Sequence, residues 1–279
     1  MIRSLLYVPA NVPRFVGRAH ERGADAIILD LEDAVAPAEK AAARAALTEA
    51  VPAVGRNGAT VFVRINAQTA AEDAEAASRA GATGLLVPKV RSAAMLHALA
   101  AALEPVERAT GQSPLRFIPL LEDPSAILDA RVILSAGPRI LGVATGGEDL
   151  ATAMDAEPSP EMLRLPKLLV HFAAKAVGVL SFGLMRSIAD YADTAAIATS
   201  ACEARALGFD GASCVHPSVV PILNHAFAPA PEALGRAHRM VAAFAAAEAE
   251  GRGAFAFEGE MVDLPVVDRA RRLIARAGA

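Results

Sequence analysis

Short, almost uninterrupted apolar runs recur along the chain, separated by Ala-rich stretches in which apolar residues return every three or four positions. The runs predict strands at 3–8, 25–31, 60–65, 83–88, 115–121, 139–144, 178–183 and 211–215. Most are continuously apolar rather than alternating, as parallel strands covered on both faces must be. The intervening stretches predict helices over 37–53, 70–80, 91–109, 124–136, 160–176 and 192–207. Several of these are introduced by Pro or Ser (Pro37, Ser92, Pro124, Pro160), residues suited to the first helical turn.

Eight strands alternating with helices at close to the roughly 30 residues of a βαβ unit predict an α/β fold, a (β/α)8 TIM barrel over residues 1–226. A doubly wound open sheet is the alternative, but its glycine fingerprint is missing: residues 7–11 read YVPAN. Residues 227–279 form an extension with helical segments at 231–250 and up to about 277, interrupted by a Gly-bearing stretch at 251–260. That tail is longer than barrel closure needs, so a C-terminal helical lid or a subunit contact is expected.

The 279 residues are 54% hydrophobic, enough to bury a large core without a disulfide or metal staple. With 27 Lys+Arg against 31 Asp+Glu, no Trp and 4% aromatics, neither nucleic acid nor a membrane surface is an expected partner. Cys202 and Cys214 are too far apart for a CxxC pair, and the N-terminal apolar stretch stops at Pro9, too short for a signal peptide. No run reaches the ~18 apolar residues of a membrane span. A reducing, cytoplasmic setting is therefore the expectation.

In such a barrel the active site gathers where the strands end. Those ends carry Asn11 with Arg14 beyond it, Asp30, Glu32 and Asp33, Arg64 and Asn66, and Lys89. They continue with Glu122 and Asp123, then Gly146 to Asp149, and His216. Glu122 and Asp149 end neighbouring strands and have no thiol or imidazole companion, a donor set that favours Mg2+. The competing reading is that these carboxylates cap the helices that follow. Arg64, in the apolar strand VFVRIN, either holds a substrate carboxylate or enolate oxygen, or pairs with Asp30 or Glu32. Lys89 has the same two readings. The Gly146–Gly147 pair offers backbone N–H groups to a carboxylate, or simply makes a tight turn. His216 reads as a hydrogen-bonded barrel residue rather than a base, and Cys214 as a small buried hydrophobe.

The segments RSLLYVPAN, GADAIILDLEDAVAPAEKAAAR, VRIN, LLVPKV, GGEDL, ALGFDG, HPS and MVDLPVVDRARRLIARA resemble the citrate lyase β-subunit-like (CitE-like) family of the HpcH/HpaI aldolase superfamily, near the malyl-CoA and citramalyl-CoA lyases. The resemblance runs over essentially the whole chain. It implies a barrel assembled as trimers or hexamers, with Mg2+, a CoA thioester and a small keto acid as its ligands. The implied activity is a carbon–carbon lyase that splits a β-hydroxyacyl-CoA of malyl or citramalyl type into acetyl-CoA and an α-keto or aldehyde acid. Carried onto this chain, Glu122 and Asp149 match the metal ligands, and Arg64 the arginine that steadies substrate and enolate. The turn Gly147–Glu148–Asp149 matches the receiver of the keto-acid carboxylate. Asp263 matches an acid/base delivered from a neighbouring subunit's lid, and Arg14 a residue on the CoA side.

Relatives of the HpaI type read LDLEHG at the second strand where this chain has Asp33, which favours the thioester branch. The segments LLEDPSAILDA and SFGLMRSIADYAD, and HPSVV in place of HPSQ, depart from the commoner family pattern. These departures bear on the substrate more than on the reaction. Arg186 there either reads a second substrate carboxylate or is a surface residue. A class II aldolase for free hydroxy-keto acids, a malate-synthase-like or thioesterase variant, and a non-catalytic subunit that binds CoA or an acyl carrier are the alternatives.

Overall fold

The structure is a computed structural model that describes residues 1–278. Eight strands run parallel: β1 (Ser4–Pro9), β2 (Ala26–Asp30), β3 (Thr60–Arg64), β4 (Gly84–Val87), β5 (Arg116–Leu121), β6 (Gly142–Thr145), β7 (Leu180–Phe182) and β8 (Ala212–Cys214). They lie side by side in chain order, with β8 returning to β1. A parallel bridge between Phe182 and Gly211 and the Gly183 N–H donating to Gly211 O (2.9 Å) bring β7 to β8 and close the (β/α)8 barrel.

Period-two alternation along these strands builds two apolar layers. Leu5, Ile28, Phe62, Leu86, Ile118, Leu120 and Phe182 pack together inside the barrel. Leu6, Ile27, Leu29, Val61, Val63, Leu85 and Phe117 belong to a second cluster shared with the surrounding helices. Those helices are α1 (Pro13–Ala19), α2 (Lys40–Val54), α3 (Ala70–Arg79), α4 (Ala93–Thr110), α5 (Pro124–Leu128), α6 (Ala130–Leu134), α7 (Gly147–Ala153), α8 (Pro160–Val177), α9 (Thr194–Leu207) and α10 (Val220–Phe227). The inner layer has a direct consequence for chemistry. Two residues beyond Leu5, Ile28, Phe62 and Leu120 stand Tyr7, Asp30, Arg64 and Glu122, so on these four strands the last apolar inward position is followed by a polar one at the mouth.

The helix predicted over 124–136 is two short ones broken at Asp129, and α1 and α7 are short helices that the apolar spacing did not single out. Ile2–Phe227 form one compact unit, and the chain from Ala228 onward forms another. The second unit comprises α11 (Pro231–Ala249), a hairpin of β9 (Ala254–Phe257) and β10 (Glu260–Asp263), and α12 (Leu264–Ala277). Met240, Phe244, Phe255, Val262 and Val267 form its own core. The Gly-bearing stretch is thus a β-hairpin rather than a linker between helices. Glu258 (φ 48°) and Gly259 (φ 87°) are both left-handed at its tip, as a type I′ turn requires. Glu258 also accepts from Arg236 and Arg239 on α11. Among the described residues no helix is long and apolar enough to cross a membrane.

Candidate active site

A cleft of about 430 Å³ opens at the C-terminal ends of the strands. Tyr7, Asp30, Arg64, Glu122, Asp149 and Lys167 are among the polar residues that line it, and Leu120, Phe182, Leu184 and Ile188 among the apolar ones. Of the residues singled out from the sequence, Arg64, Glu122, Gly147, Glu148 and Asp149 therefore meet in one place. Arg14 does not line the cleft: it lies exposed on α1, its guanidinium 4.7 Å above the Phe15 ring. Asp263 stands exposed at the end of β10 in the second unit.

Glu122 follows β5 and is 7% exposed. Its carboxylate accepts the backbone N–H of Lys89 (2.7 Å), a residue held in the left-handed region at φ 54°. Asp123 beside it, not Glu122, caps α5 by accepting the Ser125 N–H (2.9 Å). So one of the two adjacent acids serves the helix and the other is left for the cleft. Burial, together with the negative charges of Asp149 and Glu32, pushes the Glu122 carboxyl up to about 7. Gly146 makes room for this carboxylate, because a Cβ at that position would overlap Glu122. Among the described residues no group of three or more His, Cys, Asp or Glu converges as a metal cage. Two carboxylates with free space beside them suit a hard octahedral cation that keeps several waters.

Arg64 sits at the centre of a second cluster. Its Nε and Nη2 donate to the two oxygens of Asp30 (2.7 and 2.6 Å), and its Nη1 faces Asp33 (3.0 Å) and Glu32 (3.1 Å). The ion-pair reading of Arg64 therefore holds, and it leaves one Nη2 N–H of the guanidinium's five uncommitted. The guanidinium also lies 5.0 Å from the Tyr7 ring centroid. Its charge is locked on, and burial keeps the Tyr7 hydroxyl protonated by pushing its pKa up. Lys89 Nζ approaches Glu32 at 3.4 Å, and burial pushes the Glu32 carboxyl up.

Two groups on the rim went unnoticed in the sequence, Tyr7 and Lys167, whereas the loop after β7 stood out there as a departure from the family pattern. A signal for Lys167 existed. Leu163, Lys167, Val170, His171 and Ala174 recur at helical spacing and form the buried stripe of α8, so a lysine stands on a core-facing line. Lys167 Nζ donates to the carbonyls of Leu184 (2.8 Å) and Arg186 (2.7 Å), pinning the loop that walls the cleft. Ser187 of that loop hydrogen-bonds Glu148, and Tyr191 stacks on His216 at 4.8 Å between centroids. His216 Nδ1 is 2.7 Å from Ser218 Oγ, as a hydrogen-bonded barrel residue would be. The Arg186 side chain is largely covered and pairs with Asp190 rather than reaching the cleft.

The sequence profile of the HpcH/HpaI aldolase/citrate lyase family matches residues 3–217. The chain belongs to that family. Among relatives, it is 33% identical to the citrate lyase subunit beta of Leuconostoc mesenteroides subsp. cremoris, covering 99% of this chain and 93% of that protein. It is also 33% identical to a (3S)-malyl-CoA thioesterase of Cereibacter sphaeroides, over 99% of this chain and 95% of the other. The crystal structure of CitE from Mycobacterium tuberculosis in complex with magnesium, acetoacetate and coenzyme A superposes with a TM-score of 0.78 at 34% identity, covering 99% and 98% of the two chains. Glu122, Asp149 and Arg64 are gathered around one cleft at the strand ends, the face on which barrel enzymes carry their active sites.

Proposed function

We propose that this chain is a Mg2+-dependent carbon–carbon lyase acting on a β-hydroxyacyl-CoA thioester of malyl or citramalyl type. The observation that carries the reading is the pairing, in one cleft, of a buried carboxylate of raised pKa with Asp149, beside an arginine. Two carboxylates that repel each other in this way fit a divalent cation, and CitE of M. tuberculosis crystallises with magnesium and coenzyme A. Glu122 and Asp149 would hold the cation. When bound, it supplies Lewis-acid polarisation of the substrate's hydroxyl and carboxylate oxygens.

The chain's own residues account for the rest. Backbone N–H groups of the 147–149 turn receive the carboxylate next to the hydroxyl. A general base removes the hydroxyl proton, the Cα–Cβ bond breaks, and its electron pair moves onto the thioester as an enolate. The uncommitted Nη2 N–H of Arg64 stabilises that oxygen, and a proton returned to carbon releases acetyl-CoA. The resemblance assigns the base to Asp263, supplied from the second unit of a neighbouring copy. Chains carrying Asp263→Ala and Glu122→Ala, each inactive alone, are then expected to regain activity when mixed into hybrid oligomers. Hybrids that form without regaining activity would remove Asp263 from this role.

Release of acetyl-CoA from malyl-, citramalyl- and citryl-CoA, with Mg2+ and with EDTA, tests the assignment. Metal-dependent release from one of the three is expected. The relative named as a malyl-CoA thioesterase supports a second reading, in which the same site hydrolyses the thioester and releases free CoA in place of acetyl-CoA. Silence across the panel from folded protein would turn the assignment towards a free-acid aldolase or a binding subunit.

Gly146 gives a quieter test. Gly146→Ala pushes a methyl into the space of the Glu122 carboxylate and must turn it aside. Mg2+ binding, read by calorimetry, is expected to weaken by about 10- to 100-fold, the range typical when a ligand's support is lost. Unchanged affinity would mean that Glu122 is not a ligand.

A further inference from the structure

Lys167 is 4% exposed, yet it lines the catalytic cleft. An ammonium has three N–H donors, and two of these are committed to the carbonyls of Leu184 and Arg186. Neither acceptor carries a charge, and among the described residues no carboxylate pairs with Lys167 Nζ. Burial lowers its pKa to about 8, and the charge of Glu148 pulls it back up. The other cation lining the cleft is in the opposite condition, since Arg64 is already faced by Asp30, Glu32 and Asp33. A buried charge without a counter-ion is costly, and an anionic ligand that enters the cleft relieves that cost.

We propose that Lys167 is the binding residue for a second substrate carboxylate, one that is not attached to the hydroxyl-bearing carbon. This rests on the carbon–carbon lyase reading and shifts its substrate: malyl and citramalyl thioesters carry one free carboxylate, so the citryl member of the panel is favoured over them. The carboxylate beside the hydroxyl is there assigned to the Glu122–Asp149 side, so an additional anion remains for Lys167. The favoured substrate class is then a thioester whose cleavage yields a keto acid with two carboxylates. The two carbonyls hold the ammonium in place before the ligand arrives, so little side-chain freedom is lost on binding.

The test compares oxaloacetate with pyruvate, freshly prepared, binding to the full-length Mg2+-loaded protein by calorimetry. They differ by one distal carboxylate. The unaltered protein is expected to bind oxaloacetate about 10- to 100-fold more tightly, the yield of one charge-assisted hydrogen bond in a covered site. Lys167→Met is expected to bring the ratio close to one while pyruvate binding stays within about threefold, and Lys167→Arg to restore part of the preference. A purely structural lysine gives a different result, because a loosened β7 loop weakens both ligands together and leaves the ratio unchanged. That outcome overturns the proposal, as does an unaltered protein without a preference. Where Lys167→Met fails to fold, Lys167→Gln serves, since it keeps N–H donors for the carbonyls without the charge. Equal binding of the two acids leaves the lyase reading standing. No binding of either, with no thioester cleaved in the panel, removes that reading and the proposal with it.

Discussion

Glu122→Gln is expected to abolish turnover and, in the absence of metal, to raise the stability of the protein above neutral pH. On the proposed assignment, the loss of activity follows from replacing an anionic oxygen donor of the cation with a neutral amide. A drop in kcat of at least about a thousandfold corresponds to the several kcal/mol such a centre contributes. The gain in stability comes from the same carboxylate. Folding raises it from the ordinary carboxylate range to about 7. A carboxyl whose folded pKa lies above its unfolded one costs stability as pH rises between the two values, and the full cost persists above the higher one. With a rise of about 2.5 pH units, that cost is on the order of 3 kcal/mol in metal-free protein.

The two proteins should therefore unfold at similar temperatures near pH 4.5, diverge up to about pH 7, and keep a constant gap beyond it. In the unaltered protein Mg2+ competes with that proton, so its apparent affinity should rise towards tenfold per pH unit below 7 and level off above. Thermal melts across pH, with and without Mg2+, measure both effects. Activity of the Gln variant within tenfold of the parent would exclude Glu122 as a metal ligand.

Arg64→Met should damage the fold as well as the chemistry. The guanidinium neutralises Asp30 and Glu32, which are 1% and 6% exposed, and both oxygens of Asp30 are bound to it. Asp30 in turn accepts the backbone N–H groups of Glu32 and Ala34, so the turn after β2 depends on this carboxylate staying in place. Removing the cation leaves buried acids uncompensated, for which a loss of about 3–5 kcal/mol is the usual scale. The sign of the pH effect is also set. Without Arg64 the folded-state pKa of Glu32, already raised by burial, rises further, so the penalty is greatest at neutral pH and shrinks as acid protonates the cluster. Urea titrations at pH 7.5 and pH 5 should show a smaller difference from the parent at the lower pH. An equal deficit at both values would mean that lost packing, not uncompensated charge, is responsible.

Lys167 shows where reading the chain by pattern falls short. A lysine between apolar neighbours looks like a helix interruption until the stripe from Leu163 to Ala174 is counted, and even then its direction into the cleft depends on where the β7 loop lies. The hairpin at 254–263 was legible in part: Phe255 and Phe257 alternate, and Gly259 supplies a turn, but the flanking helical composition obscured a two-stranded element. The break at Asp129 follows from local geometry, since the Asp123 cap starts a helix that runs for only five residues.

The apolar runs determined the strands, because only parallel strands covered on both sides need so many consecutive buried side chains, and their eightfold alternation with helices determined the barrel. The same runs placed Asp30, Arg64 and Glu122 at or just past strand ends and Asp149 shortly beyond β6, since these apolar runs are closed by charged residues. The division of labour among those residues belongs to the tertiary structure. Glu122 and Asp123 are adjacent and chemically alike, yet one is buried against the Lys89 backbone and the other caps a helix. Arg64 and Lys167 are both cations on one cleft, yet three carboxylates face the first and only carbonyls face the second. Which charge is neutralised and which meets only carbonyls depends on distances between strands and helices far apart in the chain, and electrostatic energy depends on those distances, not on sequence order.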